Sequence, residues 1–314
     1  MTGWAAQAER GAPGVTRAGM ALVRRFGWRA GRPLARAAAA WFFVTSPGAR
    51  AASRDYLGRV LGQPVRGRQV ARHFAAFATA VLDRVMLASG RAADFQIEVD
   101  GLPALLETLG RPSGAILLGA HLGSFEVLRT LAADAPVPVW ALMYRRNGGA
   151  LTALLDQVAP ELSARVIEIG DTTSMLRARE CLERGEMVGM LADRGPSGHR
   201  TVAVPFLGSP AAFPSGPILV AATLGAPVFF CYAVRTGERR YRIGIEPFAD
   251  RLVLRREQRA ADLAAHIARY AEALERLCRA DPYQWFNFFP FWSPHASDTA
   301  RPAPAAAAAG LGPG

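Results

Sequence analysis

The stretch GAHLGSFE, residues 119–126, places a histidine and a glutamate five positions apart, directly after an apolar run. On one continuous helix this spacing would separate the two side chains by about 140°. Gly123 can break the helix, so that His121 folds back over the start of a helix that carries Glu126. A carboxylate on one imidazole nitrogen fixes the tautomer and leaves the other nitrogen to accept a proton. One interpretation of the stretch is therefore a catalytic His121–Glu126 pair.

The same residues also fit a purely structural interpretation. Ser124 suits an N-cap, and Glu126 in the first turn would complement the helix dipole without doing chemistry. His121 would then only satisfy backbone groups. The spacing alone leaves both interpretations open. In the catalytic one, exposed amides near Gly123 and Ser124 are candidate donors to a substrate oxyanion.

Short apolar runs that alternate with helical stretches predict the framework that positions this motif. Strands are predicted at 95–99, 114–120, 137–143, 165–169 and 186–192. Helices are predicted between most of them, at 125–133, 150–158 and 174–184. Further strands follow at 201–206, 226–234 and 241–248, and then a helix at 258–279. This pattern predicts an α/β fold with a largely parallel central sheet flanked by helices. In such sheets function gathers at the carboxyl ends of strands, where His121 stands.

The charge of the chain divides it into parts. Residues 1–73 hold 13 arginines against two acidic residues, which equals the whole net charge of +11. We predict a basic helical N-terminal lobe over residues 1–93, an α/β domain over 94–293 and a disordered Ala/Pro/Gly-rich tail over 294–314. Tryptophans and phenylalanines lie among the N-terminal arginines, as suits an anionic membrane surface. Nucleic acid would suit them too, but no nucleic-acid-binding motif is present, and a solvated helix face is the third interpretation.

Several other classes of protein are not supported by the sequence. No segment approaches the ~20 apolar residues that span a bilayer, and the Ala-rich run at 37–44 does not fit a signal peptide. The three cysteines form neither a metal pattern nor a disulfide framework. G-x-S-x-G, G-x-x-x-x-G-K-[ST] and H-E-x-x-H are all absent. We therefore expect no metal and no tightly bound cofactor.

Three blocks of sequence resemble one family. GAHLGSFE resembles the H-x4-D/E motif of the lysophospholipid acyltransferase superfamily, and its glutamate form is similar to the bacterial late lipid A acyltransferases, which include lauroyl and myristoyl transferases. MYRRNGG at 143–149 and the segment 185–230 resemble the second and third blocks of that branch. The resemblance covers residues 50–292 and implies a glycerolipid acyltransferase-like α/β fold.

The resemblance implies roles for individual residues. His121 would be the general base that deprotonates a hydroxyl or amine of a lipid or glycolipid acceptor, and Glu126 would orient its imidazole. Arg145 would bind a phosphate or carboxylate of the substrate, for which a guanidinium is suited. Asp193 and Arg194, at the end of a strand on the same edge, are further candidates for substrate binding. For Arg145 the alternative is a surface charge, and for Asp193 and Arg194 it is a structural ion pair or turn. His199, Phe206 and Phe213 are weaker candidates, since core packing explains the two phenylalanines equally well.

The expected acyl donor is acyl-acyl-carrier protein, with acyl-CoA second, because carrier proteins are acidic and the lobe is basic. Two departures from the family pattern matter. The phosphate-binding F-P-E-G-x-x-S block is absent, which disfavours a simple lysophosphatidate acceptor, and the expected transmembrane anchor is missing. We expect peripheral binding at the cytoplasmic face of the bacterial inner membrane. A thioesterase that uses the same dyad on water, or a catalytically silent membrane-binding scaffold, remains the alternative.

Overall fold

The computed structural model describes residues 13–110, 113–124, 127, 137–144, 165–170, 173–196 and 198–292, with only the backbone given for 13–26 and 30. The helices predicted at 125–133 and 150–158 lie outside these ranges, except for Val127, which is helical. The predicted tail at 294–314 also lies outside them.

The N-terminal lobe is helical, as predicted. Its described helices are α1 (Pro13–Thr45), α2 (Pro47–Leu61) and α3 (Gly67–Ala88). Helix α1 is interrupted at Gly27, where the backbone adopts φ 70° and ψ −160°. Helix α2 begins at a proline, whose fixed φ suits the first helical position, and ends at Gly62 in the left-handed conformation. A proline and a glycine in the sequence thus set the bounds of α2.

Within the described residues, seven strands form the central sheet, in the order β1-β9-β8-β2-β5-β3-β4. Their bounds are β1 Gln96–Asp100, β2 Ala115–Gly119, β3 Val139–Met143, β4 Val166–Glu168, β5 Met187–Leu191, β8 Val228–Gly237 and β9 Arg240–Ala249. Every neighbouring pair is parallel except β8 with β9, which form an antiparallel hairpin. The prediction of a largely parallel sheet is confirmed.

The predicted strand at 201–206 lies outside that sheet. It is β6 (Thr201–Phe206), which pairs with β7 (Ser209–Pro214) in a separate two-stranded antiparallel sheet. Leu207 and Gly208 between them have φ values of 49° and 80°, as a tight two-residue hairpin turn requires. Strand β7 was not predicted because its two prolines disfavour a strand, but an edge strand tolerates them.

Four further helices are described: α4 (Leu102–Leu109), α5 (Thr173–Glu183), α6 (Gly216–Leu224) and α7 (Arg259–Ala280). Helices α5 and α7 agree with the predicted helices at 174–184 and 258–279. In the part of the chain described here, no helix combines the length and apolarity needed to cross a membrane.

The helical lobe and the sheet share one apolar core. Tyr56 and Phe74 of the lobe are buried in the same cluster as Phe206 and Trp285. A buried carboxylate adds a polar link, because Asp83 of α3 accepts hydrogen bonds from the Trp28 indole (3.0 Å) and the Tyr241 hydroxyl (2.7 Å). The lobe is therefore joined to the sheet by both apolar and polar contacts.

His73 of α3 is wholly buried and structural. Its Nδ1 lies 2.8 Å from Ser53 Oγ, and its Nε2 lies 3.0 Å from the Trp285 carbonyl oxygen. Since a carbonyl only accepts, we assign the proton to Nε2, and Nδ1 accepts from the serine. Burial lowers the pKa of His73 to about 4.

Acid should destabilise the fold through His73. Its pKa is about 4 when folded and 6.5 when unfolded, so the unfolded chain binds more protons between these values. The contribution of His73 is complete above pH 6.5 and falls by about 3 kcal/mol as the pH drops to 4. Urea denaturation of the wild type and of His73→Gln should show this share of the pH dependence only in the wild type. Parallel stability curves would contradict the assignment.

Candidate active site

The candidate site lies where three adjacent parallel strands end. Strands β2, β5 and β3 are neighbours in the sheet, so the residues that follow them meet at one edge. His121 follows β2, Asp193 follows β5 and Tyr144 follows β3. The sequence predicted this edge for His121 and Asp193.

His121 and Asp193 are in direct contact. The imidazole Nδ1 lies 2.8 Å from Asp193 Oδ1. The Asp193 side chain is fully buried, whereas the His121 side chain is 35% exposed. Because a carboxylate accepts hydrogen bonds, we assign the Nδ1 proton to the bond with Asp193, which leaves the Nε2 lone pair available to a substrate.

The second oxygen of Asp193 is also satisfied. Oδ2 accepts from the Trp285 indole Nε1 at 3.0 Å and from Arg194 Nη2 at 3.3 Å. Burial alone would raise the pKa of Asp193, but the charges of His121 and Arg194 and the hydrogen bonds hold it well below its usual range. Asp193 is therefore a buried, ionised carboxylate.

The same surroundings lower the pKa of His121. Burial lowers the pKa of His121, the nearby Arg194 charge lowers it further, and Asp193 opposes both without reversing the shift. The imidazole is thus neutral at physiological pH. A neutral imidazole with an anchored Nδ1–H is the form that a general base requires.

Arg194 is built into the site. Its side chain is 11% exposed, and its Nη2 bonds to the Phe286 carbonyl oxygen (3.2 Å) as well as to Asp193. The guanidinium also lies 5.3 Å over the Phe289 ring. Asp193 and Arg194 were predicted to bind substrate. That prediction stays untested; the contacts place Asp193 against His121 and Arg194 against Asp193.

The His121 loop depends on Gly123. This residue has φ 67°, and a Cβ there would overlap the Ala233 carbonyl oxygen. The predicted break at Gly123 is therefore present, and only glycine fits it.

The prediction that the amides of Gly123 and Ser124 are exposed is wrong. The Gly123 N–H donates to the Gln284 carbonyl oxygen at 2.8 Å, and the Ser124 N–H donates to that of Ala233 at 2.9 Å. The loop is clamped between β8 and the segment that follows α7, so its amides are used in holding the loop. We assign neither residue to oxyanion binding.

Two predicted site residues, Glu126 and Arg145, lie outside the described residues, so their roles stay predictions. His199 approaches Tyr144, whose hydroxyl is 3.5 Å from its Nδ1, with the two rings edge to face. Phe206 and Phe213 are fully buried and pack on each other, which favours the core interpretation for both.

Trp285 was not predicted as a site residue. It lies in the aromatic segment at 281–292, to which no role was assigned. A buried tryptophan needs a partner for its indole N–H, and that signal could have pointed to a nearby carboxylate. The separation of 92 residues from Asp193 hid the pairing.

The described residues offer little support for metal-ion or cysteine catalysis. None of the His, Cys, Asp and Glu side chains there form a group of three or more that could hold a metal ion. Cys181, Cys231 and Cys278 are buried and free, and burial raises the pKa of each thiol. Buried thiols with raised pKa are poor nucleophiles.

Comparison with known proteins shows the family to which the chain belongs. No curated protein matches the chain. The model of a family described as bacterial lipid A biosynthesis acyltransferase matches residues 15–293. Because this match spans the lobe, the sheet and the site, the chain belongs to the bacterial lipid A biosynthesis acyltransferase family, which implies an acyltransferase that acts on a lipid acceptor.

Proposed function

We propose that the protein transfers a fatty acyl chain from an acyl thioester to a hydroxyl or amine of a lipid or glycolipid, with His121 as general base. The contact of His121 with the buried Asp193 at the carboxyl edge of the sheet carries this proposal. It supplies a neutral imidazole whose tautomer is fixed and whose ring is partly exposed to substrate.

The chemical step follows from that tautomer. His121 Nε2 removes the proton from the acceptor as its oxygen or nitrogen attacks the thioester carbonyl carbon. The tetrahedral intermediate collapses, the carbon–sulfur bond breaks, and the imidazolium returns the proton to the departing thiolate. Asp193 stabilises the imidazolium that forms between the two proton transfers. No covalent acyl-enzyme is needed.

Two carboxylates share the proposed task of orienting His121. In the structure the contact to Nδ1 belongs to Asp193, whereas the role of Glu126 rests on the spacing in GAHLGSFE. We keep Glu126 as a second candidate and Arg145 as a candidate ligand for a substrate phosphate or carboxylate. Comparing the loss of kcat in Glu126→Gln with that in Asp193→Asn measures how much each carboxylate contributes to orienting His121.

The donor in this proposal is acyl-acyl-carrier protein, with acyl-CoA second. The support is electrostatic, because the basic lobe complements an acidic carrier. Arg29, Arg32 and Arg36 are all exposed on α1. Charges of this kind raise the rate of encounter more than they raise affinity.

The protein is also proposed to bind peripherally to the cytoplasmic face of the bacterial inner membrane. Helix α1 exposes Leu34, Trp41 and Val44, with Trp41 about half exposed. Leu34 and Trp41 are two turns apart and share a face of the helix. Apolar side chains beside arginines suit an anionic lipid surface.

Replacing Leu34 and Trp41 with serine should weaken binding to vesicles that contain phosphatidylglycerol by about tenfold, because apolar area no longer enters the interface. Co-sedimentation measures it, and binding should also fall as salt is raised. Leu176→Ser is the matched control, since Leu176 is 58% exposed but lies on α5. Equal losses in both variants, or salt-insensitive binding, would contradict the assignment.

The proposed activity is tested with purified protein, labelled acyl-acyl-carrier protein and a bacterial lipid extract. The expected result is a labelled lipid that appears as the carrier thioester is consumed. Release of free fatty acid alone would identify a thioesterase, and no consumption would support a silent scaffold. Lipid profiling of a deletion strain, complemented with wild type or His121→Ala, identifies the acceptor.

A further inference from the structure

The Trp285 indole bonds the Asp193 carboxylate oxygen that does not contact His121. Its ring is wholly buried, and its Nε1 donates to Asp193 Oδ2 at 3.0 Å. The bond to Oδ2 leaves Oδ1 to His121, so the two oxygens of the carboxylate are aimed in different directions. An indole donor in this position sets the rotation of the carboxylate.

The backbone around Trp285 holds the other partner of the pair. The Phe286 N–H donates to the His121 carbonyl oxygen at 3.1 Å, and Leu122 forms a strand-like bridge with Trp285. The Gln284 carbonyl accepts from Gly123. One three-residue segment thus fixes the His121 loop through its backbone and Asp193 through a side chain.

The helical lobe holds this segment in turn. His73 of α3 donates from Nε2 to the Trp285 carbonyl oxygen at 3.0 Å, and Ser53 of α2 donates to His73 Nδ1 at 2.8 Å. Hydrogen bonds therefore link Ser53 to His73 and His73 to the backbone of Trp285. The side chain of Trp285 in turn bonds Asp193, which bonds His121. These bonds connect the lobe to Asp193, the carboxylate that orients the His121 imidazole.

We propose that Trp285 is a positioning residue for the acyl transfer, and that the N-terminal lobe completes the active site by fixing Trp285 through His73. The inference rests on the proposed function, since it takes His121 as the base. A general base loses efficiency when its geometry is loosened by a fraction of an ångström. A segment that contacts both the imidazole loop and its carboxylate removes that freedom.

Trp285→Phe isolates the indole N–H from the packing of the ring. The surrounding aromatic rings include Tyr56 and Phe291, each with its centroid 5.0 Å from that of Trp285, and a phenylalanine keeps most of these contacts. Trp292→Phe is the matched control. Trp292 belongs to the same cluster and donates its indole N–H to the Phe206 carbonyl oxygen at 3.3 Å, with no bond to Asp193.

We expect Trp285→Phe to lower kcat about tenfold, the effect of one hydrogen bond to a charged group. The acidic limb of the kcat/KM profile should move to higher pH. Without the indole donor Asp193 is more basic, so it stabilises the His121 imidazolium more strongly. Trp292→Phe should change neither quantity.

The shift is assignable to this pair. Within the described part of the chain, the titratable groups that face Asp193, besides His121 and Arg194, are Tyr270 and Cys278 of α7. Burial raises the pKa of both, so they stay neutral across the profile. Activity is expressed per folded molecule at each pH, because a less stable variant would lose folded protein first in acid, where protonation of His73 destabilises the fold.

An NMR titration of the imidazoles tests the same point without turnover. The His121 signal is identified by its absence in His121→Asn, and its pKa should be higher in Trp285→Phe than in wild type or Trp292→Phe. A pKa or acidic limb at or below the wild-type position would overturn the proposal. Absence of acyl transfer by the wild type would overturn the proposed function instead, while the titration would still decide the role of Trp285.

Discussion

His121→Ala should lower kcat for acyl transfer by about a thousandfold, within the range that positioned acid–base groups contribute. Without the imidazole the acceptor must lose its proton to water, and the departing thiolate has no acid beside it. The measurement is transfer of label from acyl-acyl-carrier protein to the lipid product at saturating substrates. His266→Ala is the control, because the His266 ring instead approaches the Val253 carbonyl oxygen at 3.2 Å. An active, folded His121→Ala protein would rule out the base.

The pH dependence of kcat/KM in the wild type also tests whether His121 is the base. The base works only when neutral, so kcat/KM should rise with pH through the pKa of His121. Burial and Arg194 place that pKa below the ordinary value of 6.5, so the acidic limb should lie below pH 6.5. A limb above that value would show that a different group controls the reaction.

Asp193→Asn is expected to lower kcat by about a hundredfold or more, although the substitution changes few atoms. Trp285 and Arg194 both donate toward Oδ2, so the amide oxygen of an asparagine will face them. Its NH2 group then points at His121 Nδ1 and donates to it. That contact puts the imidazole proton on Nε2, which is the wrong tautomer for a base.

Asp83→Asn is a closely matched control for this experiment. Asp83 is also fully buried, accepts from a tryptophan indole at 3.0 Å and has an arginine, Arg235, 3.4 Å away. Both variants should lose thermal stability, because both alter a buried, hydrogen-bonded carboxylate. Only Asp193→Asn should lose kcat per folded molecule. Equal activity losses would assign Asp193 a structural role and leave Glu126 as the orienting carboxylate.

Sequence reasoning placed most of the framework. Apolar runs marked the seven described strands of the central sheet within a few residues, because buried strands such as β2 and β5 are continuous apolar runs and half-exposed ones such as β9 alternate. The same reasoning put His121 and Asp193 at one edge, since parallel strands present their carboxyl ends together. Gly123 was identified as the break because only a positive φ allows the loop to turn there.

The main failure concerns contacts between distant parts of the chain. The amides of Gly123 and Ser124 were expected to be free, but carbonyl oxygens of Gln284 and Ala233 accept from them. These contacts do not follow from the local pattern of the motif. Strand β7 was missed for a local reason, because its two prolines disfavour a strand in general, although an edge strand tolerates them.

The sequence by itself determined the family, the α/β class and the histidine at the end of a strand, because these depend on residue order over short windows. The tertiary structure decided which groups surround that histidine. Asp193 reaches it because β5 lies beside β2 in the sheet, and Trp285 reaches Asp193 because the chain returns after α7 to pair with the His121 loop. Hydrogen-bond partners are selected by proximity in space, and strand order and the path of the last segment set that proximity across 72 and 92 residues.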